Sequence, residues 1–312
     1  MSASAPIRTQ PATRARPRLW ALARGRRGEG WLLVAPTIVA VLGIGIYPLL
    51  YSLTLSFRRW NLQDKTHPFI GLDNYSDALR DDRVWAALKN TLMLSVGGVA
   101  IELVLGLGLA LVLIEELRGK RFIIPLLMLP VMMVPVVVAL GWRLLWDANY
   151  GPVNYFLGLV TGRDVAIAWL SQTKPALIAI LVTDVWQWTP FMFLILLAGL
   201  ATVDPDLYDA ASLDGAGWWR TLLDITLPAI GPVIAVAILF RWMDAFKLFD
   251  LVYMFTQGAP GTSTETVSWY VYQLGLKFFR MGYAAALSYL IVIFLAVVAT
   301  LYAAILLREE RT

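Results

Sequence analysis

The sequence predicts an all-α polytopic membrane bundle of six helices, with a polar elbow between the fourth and the fifth. Three observations predict it. Of 312 residues 59% are hydrophobic, against about half in an ordinary soluble domain. The excess falls in blocks of roughly 20 residues, the length a helix needs to cross a bilayer. Inside each block the apolar run is continuous rather than alternating, which selects helices over a barrel.

The blocks fall at residues 31–57, 91–114, 122–146, 176–200, 230–255 and 283–307. A basic tail, 1–30, precedes the first, with seven arginines and one glutamate. The first block is longer than the apolar part of a cleavable signal, and no small-x-small site follows it. It therefore reads as an uncleaved span. Lys and Arg in short loops set orientation. The tail and the "EELRGKR" loop (115–121) go to the cytoplasm, as does the C-terminal tail 308–312. Loops 58–90, 147–175 and 257–282 face outward. The second block, "SVGGVAIELVLGLGLALVL" (95–113), is rich in small residues that let helices approach closely. Pro36, Pro48, Pro125, Pro130, Pro135, Pro190 and Pro232 fall inside spans, where neighbouring helices satisfy the carbonyls they free. The bland reading of these prolines is kinked packing.

Composition removes several function classes. There is no cysteine, so thiol chemistry and Cys-ligated metals are out. The one histidine, His67, lies in a loop with no partners for a triad or metal site. No G-x-x-x-x-G-K-[ST] loop is present, so the chain has no evident ATP site of its own. The net charge of +4 comes largely from the tail and is not a nucleic-acid signal.

The transmembrane domain, 31–307, contains one long polar insert, 203–228. Asp204 and Pro205 read as N-cap and first helical residue. Asp206 and Asp209 favour the positive end of that helix. Gly215 is placed to end it in a left-handed turn. A second short helix starts after Gly217, and Pro228 with its restriction on Leu227 marks a break before the fifth span. Two capped helices exceed what a simple connector requires.

Ionisable groups inside spans are costly and are functional candidates. The fourth span carries Asp184, Gln187 and Trp188 at i, i+3, i+4, on one face, with Phe191 one turn on. The fifth carries Arg241, Asp244, Lys247 and Asp250 at intervals of three, able to pair as Arg241–Asp244 and Lys247–Asp250. Planar polar groups beside an aromatic face suit a sugar. The substrate path is therefore assigned to Asp184, Gln187, Trp188, Phe191, Arg241 and Asp244, with Lys247 and Asp250 left outside it. The competing reading makes the charged ladder a lock between subunits. Glu102, alone in the second span, reads as a polar contact within the bundle. Each basic group has an acidic neighbour, which favours a neutral solute over a phosphorylated one.

The insert resembles the cytoplasmic loop of ATP-driven importers, whose pattern is E-A-A, three residues, G, nine residues, I-x-L-P. Here Asp209, Ala210 and Ala211 are followed by Gly215, and then by Ile225, Leu227 and Pro228 at the matching spacing. Asp209 stands where the pattern has Glu, one methylene shorter. "GLDNY" (71–75), "LPVMMVPVVVALGWRLLW" (129–146), "YGPVNYFLG" (150–158) and "RWMDAFKLFDLVYMFTQGAPGTSTET" (241–266) extend the resemblance to the carbohydrate-uptake ABC permeases of the maltose/glycerol-phosphate type, over about residues 30 to 307. The resemblance implies a bacterial cytoplasmic-membrane protein, with membrane lipid as its surroundings. It also implies a second permease subunit, two ATPase subunits that hold ATP and magnesium, and an extracytoplasmic solute-binding protein. The insert would be the coupling helix seated in an ATPase groove. A glycerol-phosphate importer subunit and an ion-coupled secondary carrier are the alternatives, and the carrier leaves the Asp209–Pro228 spacing without a reason.

Overall fold

The computed structural model describes residues 34–115 and 117–309. The basic tail, the start of the first span and the last three residues lie outside that range. The chain divides into two units, Met1–Thr54 and Leu55–Thr312. In the first, the described residues belong to α1, Val34–Ser56, a 23-residue apolar helix with a π turn over Val41–Ile46.

The second unit begins with a short helix, α2 (Asp73–Arg80), and is built around α3 (Asp82–Ile114) and α7 (Thr173–Leu200). Helix α3 starts well before its apolar run because Asp81 caps it, accepting a hydrogen bond from the Arg83 amide at 2.9 Å. Helices α3 and α7 run parallel. Gly98 lies against Leu181 and Asp184, and Gly106 against Met192 and Phe193, eight residues on in both. A Cβ on Gly106 would sit 2.9 Å from the Phe193 amide nitrogen, so the small residues of 95–113 do bring backbones together. Around this seam Ala110, Leu113, Leu196 and Leu200 form one buried cluster.

The third expected span is not one straight helix. Helices α4 (Lys120–Met132) and α5 (Pro135–Leu145) meet at 94°. Pro135 opens α5 and Val134 before it is extended, at φ −64° and ψ 131°, as the residue before a proline prefers. The Met133 carbonyl left at the bend accepts from Gln187 Nε2 at 3.4 Å. By contrast Pro190 lies inside α7 without ending it.

After α6 (Pro152–Thr161) and α7 come the insert helices α8 (Pro205–Leu213) and α9 (Trp218–Ala229), then α10 (Gly231–Ala245) and α11 (Asp250–Phe255). Helices α12 (Val267–Tyr272) and α13 (Met281–Glu309) complete the described chain. Among the described residues four helices are long and apolar enough to cross a membrane, and up to six spans result if each of two bent pairs counts once. The six-helix expectation therefore holds with its third and fifth members broken.

At the end away from the insert, polar side chains hold the loops to α3. Arg83 donates to Glu265 at 2.6 and 2.7 Å. The Tyr270 and Tyr283 hydroxyls each donate to Asp81 at 2.8 Å. Burial pushes the Asp81 carboxyl up, but these bonds and the Arg83 amide outweigh it and hold it below its ordinary value.

Candidate functional site

Arg241 of α10 is the hub of a buried charge cluster. Its Nε and Nη2 meet both oxygens of Glu102 on α3, at 2.7 and 2.8 Å. Nη2 also donates to Asp184 Oδ2 on α7 at 2.5 Å. The side chains of Arg241 and Glu102 are 1% and 0% exposed. Gly98, one turn before Glu102, lies on the same face of α3, and a Cβ there would stand 3.4 Å from Asp184 Oδ2, in ordinary contact. The guanidinium lies over the Trp188 ring, 4.9 Å from its centroid. Buried ions demand such pairing, because an isolated charge in this medium is very unfavourable.

The cluster forms one wall of a cavity of about 300 Å³, lined by Asp184, Gln187, Trp188, Arg241, Asp244 and Phe249 among others. Five of the six residues assigned to the substrate path thus come together. Phe191 stands apart from that lining and meets the Trp188 ring edge-on at 6.2 Å. Lys247 and Asp250, left outside the path, line the cavity as well. The expected ladder also changes. Arg241 Nη1 faces Asp244 at 3.7 Å as anticipated, but Lys247 pairs with Asp244, also at 3.7 Å, rather than with Asp250. The reason is the backbone. Helix α10 stops at Ala245, Phe249 takes φ −128° and ψ −52°, and Asp250 opens α11 out of the i+3 register.

Sequence reasoning missed two partners. Phe249 adds a second aromatic face to the cavity, hidden in an aromatic-rich stretch with no periodic signal. Glu102 was read as a bundle contact, without the cation it serves. Its spacing did hold a clue: Gly98, Glu102, Gly106 and Ala110 recur every fourth residue, so the acid lies on the face that touches α7.

The insert is a two-armed elbow. Asp204 caps α8, accepting from the Asp206 amide at 3.0 Å, and Pro205 takes the first helical position. Gly215 ends the arm at φ +70°, and the Ala216 amide donates back to the Ala211 carbonyl at 3.0 Å. The second arm, α9, contains a π turn, Leu222–Thr226. The Leu227 amide donates to the Leu222 carbonyl, five residues back. That wider turn lets Pro228 sit within the helix, with Leu227 still helical. The break expected at Pro228 therefore falls at Ile230, and the following helix leaves at 68°. The Thr226 hydroxyl lies 3.4 Å from the Tyr208 hydroxyl, tying the arms together. Of the motif residues, Asp209, Ala210, Gly215 and Pro228 are exposed, Ile225 and Leu227 are half-buried, and Ala211 is buried.

Comparison with known proteins sets this geometry in a family. Residues 102–311 match the binding-protein-dependent transport system inner membrane component family. The chain is 40% identical over 277 residues to the trehalose transport system permease protein SugA of Mycobacterium tuberculosis (strain ATCC 25618 / H37Rv), covering 88% of each. It is 34% identical over 253 residues to the trehalose/maltose transport system permease protein MalF of Thermococcus litoralis, covering 81% of this chain and 84% of that one. Among solved structures it resembles a chain of a bacterial alginate ABC transporter in complex with alginate pentasaccharide-bound periplasmic protein. That match has a TM-score of 0.75 and 27% identity, covering 92% of this chain and 95% of the other.

Proposed function

The chain belongs to the binding-protein-dependent transport system inner membrane component family, and from that membership we propose that it is the permease subunit of an ATP-binding-cassette importer for a neutral sugar, oligosaccharide or polyol. One observation carries the reading. The elbow joins α7 to α10, and these two helices supply five of the cavity's lining residues, Asp184, Gln187, Trp188, Arg241 and Asp244. A push on the elbow is therefore a push on both walls of the cavity.

The mechanism follows as alternating access. Two separate ATPase subunits, holding ATP and magnesium, close on nucleotide. The exposed elbow, with Asp209 offering a carboxylate for a charge-assisted contact, carries the displacement into α7 and α10. A second permease subunit completes the path, and a solute-binding protein outside the membrane delivers the solute. The elbow and both termini face the cytoplasm in this arrangement. This chain's part is differential stability of two states rather than covalent chemistry. The trehalose, maltose and alginate named for the relatives and the structural neighbour support a carbohydrate. The acidic partners of Arg241 support a neutral one.

The test is uptake in proteoliposomes. With partner permease, ATPase subunits and binding protein present, labelled disaccharide should accumulate on ATP addition. Uptake by the lone chain, driven by an ion gradient, would establish the carrier instead.

A further inference from the structure

We propose that Glu102, which lies outside the cavity, is a specificity-determining positioning residue: it neutralises Arg241 from behind, so that the cavity offers a guanidinium donor without net positive charge. The inference rests on the sugar-permease reading and goes beyond it.

The geometry divides the guanidinium in two. The Nε–Nη2 edge is filled by Glu102, bidentate, and by Asp184. The remaining nitrogen, Nη1, is buried and makes no hydrogen bond among the described residues. The acid that faces it is Asp244, with Oδ2 at 3.7 Å, and Asp244 lines the cavity with it. A buried donor without a hydrogen bond, beside an open volume, is a place for a ligand oxygen. Glu102 fixes which edge is left free, because the bidentate fork locks the guanidinium plane.

Glu102 also fixes the sign of the field. Two carboxyl groups hold one guanidinium, so the cluster carries no net positive charge even if one of them takes a proton. Asp244 adds a further carboxylate on the cavity side, itself shared with Lys247. A hydroxyl can accept from Nη1 in such a site. A phosphate or carboxylate meets acidic groups with no excess cation and is repelled. Removing the Glu102 charge leaves Arg241 with one buried partner and shifts the balance towards anions.

The experiment uses the purified permease–ATPase assembly and calorimetric binding without the binding protein. Trehalose, maltose and lactose are screened first on the wild type. The one that binds is then compared with its monophosphate in wild type, Glu102→Gln and Glu102→Asp. The wild type should prefer the neutral sugar. Glu102→Gln should move the affinity ratio towards the phosphate by about tenfold or more, and Glu102→Asp should restore most of the original ratio. If Glu102→Gln does not fold, Asp184→Asn, which removes the other carboxylate from the same guanidinium, should shift the ratio in the same direction. A folded variant whose two affinities fall equally, or whose ratio is unchanged, overturns the proposal and leaves the sugar reading standing. A wild type that binds the monophosphate more tightly than the sugar defeats the neutral-solute reading itself, and this inference with it.

Discussion

Arg241 concentrates the energetics of the interior. It is paired with Glu102 and Asp184 and almost wholly buried. Truncating one member of such a group leaves uncompensated charge, which costs about 3–5 kcal/mol. Arg241→Ala should therefore lower the thermal midpoint in detergent sharply. Asp244→Ala, at a side chain 48% exposed, should cost no more than about 1 kcal/mol. The other informative acid is Asp81, held below its ordinary value by the bonds from Tyr270, Tyr283 and the Arg83 amide. A depressed carboxyl stabilises the fold above its unfolded pKa, about 3.9, and that stability is lost as pH falls through the lower folded value. Asp81→Asn should then be less stable at neutral pH and show a flatter loss of stability below about pH 4. A melting series across pH checks both.

Among the elements, the α3–α7 seam decides the architecture. The repeat Gly98, Glu102, Gly106, Ala110 presents three small residues and one acid to α7. Gly106→Val places atoms against the Met192 and Phe193 backbone and should reduce the yield of folded protein severely. Gly108→Val, at a position where a Cβ would meet nothing within 4 Å, should be tolerated in the same expression and melting assay. This seam was legible in the sequence as a small-residue block, and the first arm of the insert was legible residue by residue, down to its cap and its left-handed glycine. The bends were less so. Pro125, Pro130 and Pro135 all lie in the third segment, and only the last coincides with a turn of 94°. The other two sit inside α4, because tertiary packing decides which proline interrupts a helix. Pro228 misled for a related reason: a π turn before it absorbed the missing donor. Pairing of Lys247 depended on a helix end at Ala245 that no spacing rule announces.

For the molecule as a whole, the two sites gain meaning from their connection. The elbow is joined to α7 at one end and α10 at the other, so one capped element is attached to both helices that line the cavity. Most of the cavity was readable because ionisable residues in apolar segments are few and their periodicity places them on a face. What could not be read was the long-range partner: Glu102 and Arg241 lie 139 residues apart, and single-sequence periodicity carries no information across that distance. The proposed transmission of ATPase motion through the elbow to this cavity is tested most directly by solute-stimulated ATP hydrolysis in the complete assembly carrying Asp209→Ala. Asp209 is exposed, so the variant should fold and bind solute as the wild type does, while stimulated hydrolysis and uptake fall by about tenfold, the worth of one charge-assisted contact. Stimulation and uptake equal to wild type, in a variant shown to be assembled, would mean that Asp209 does not carry that motion.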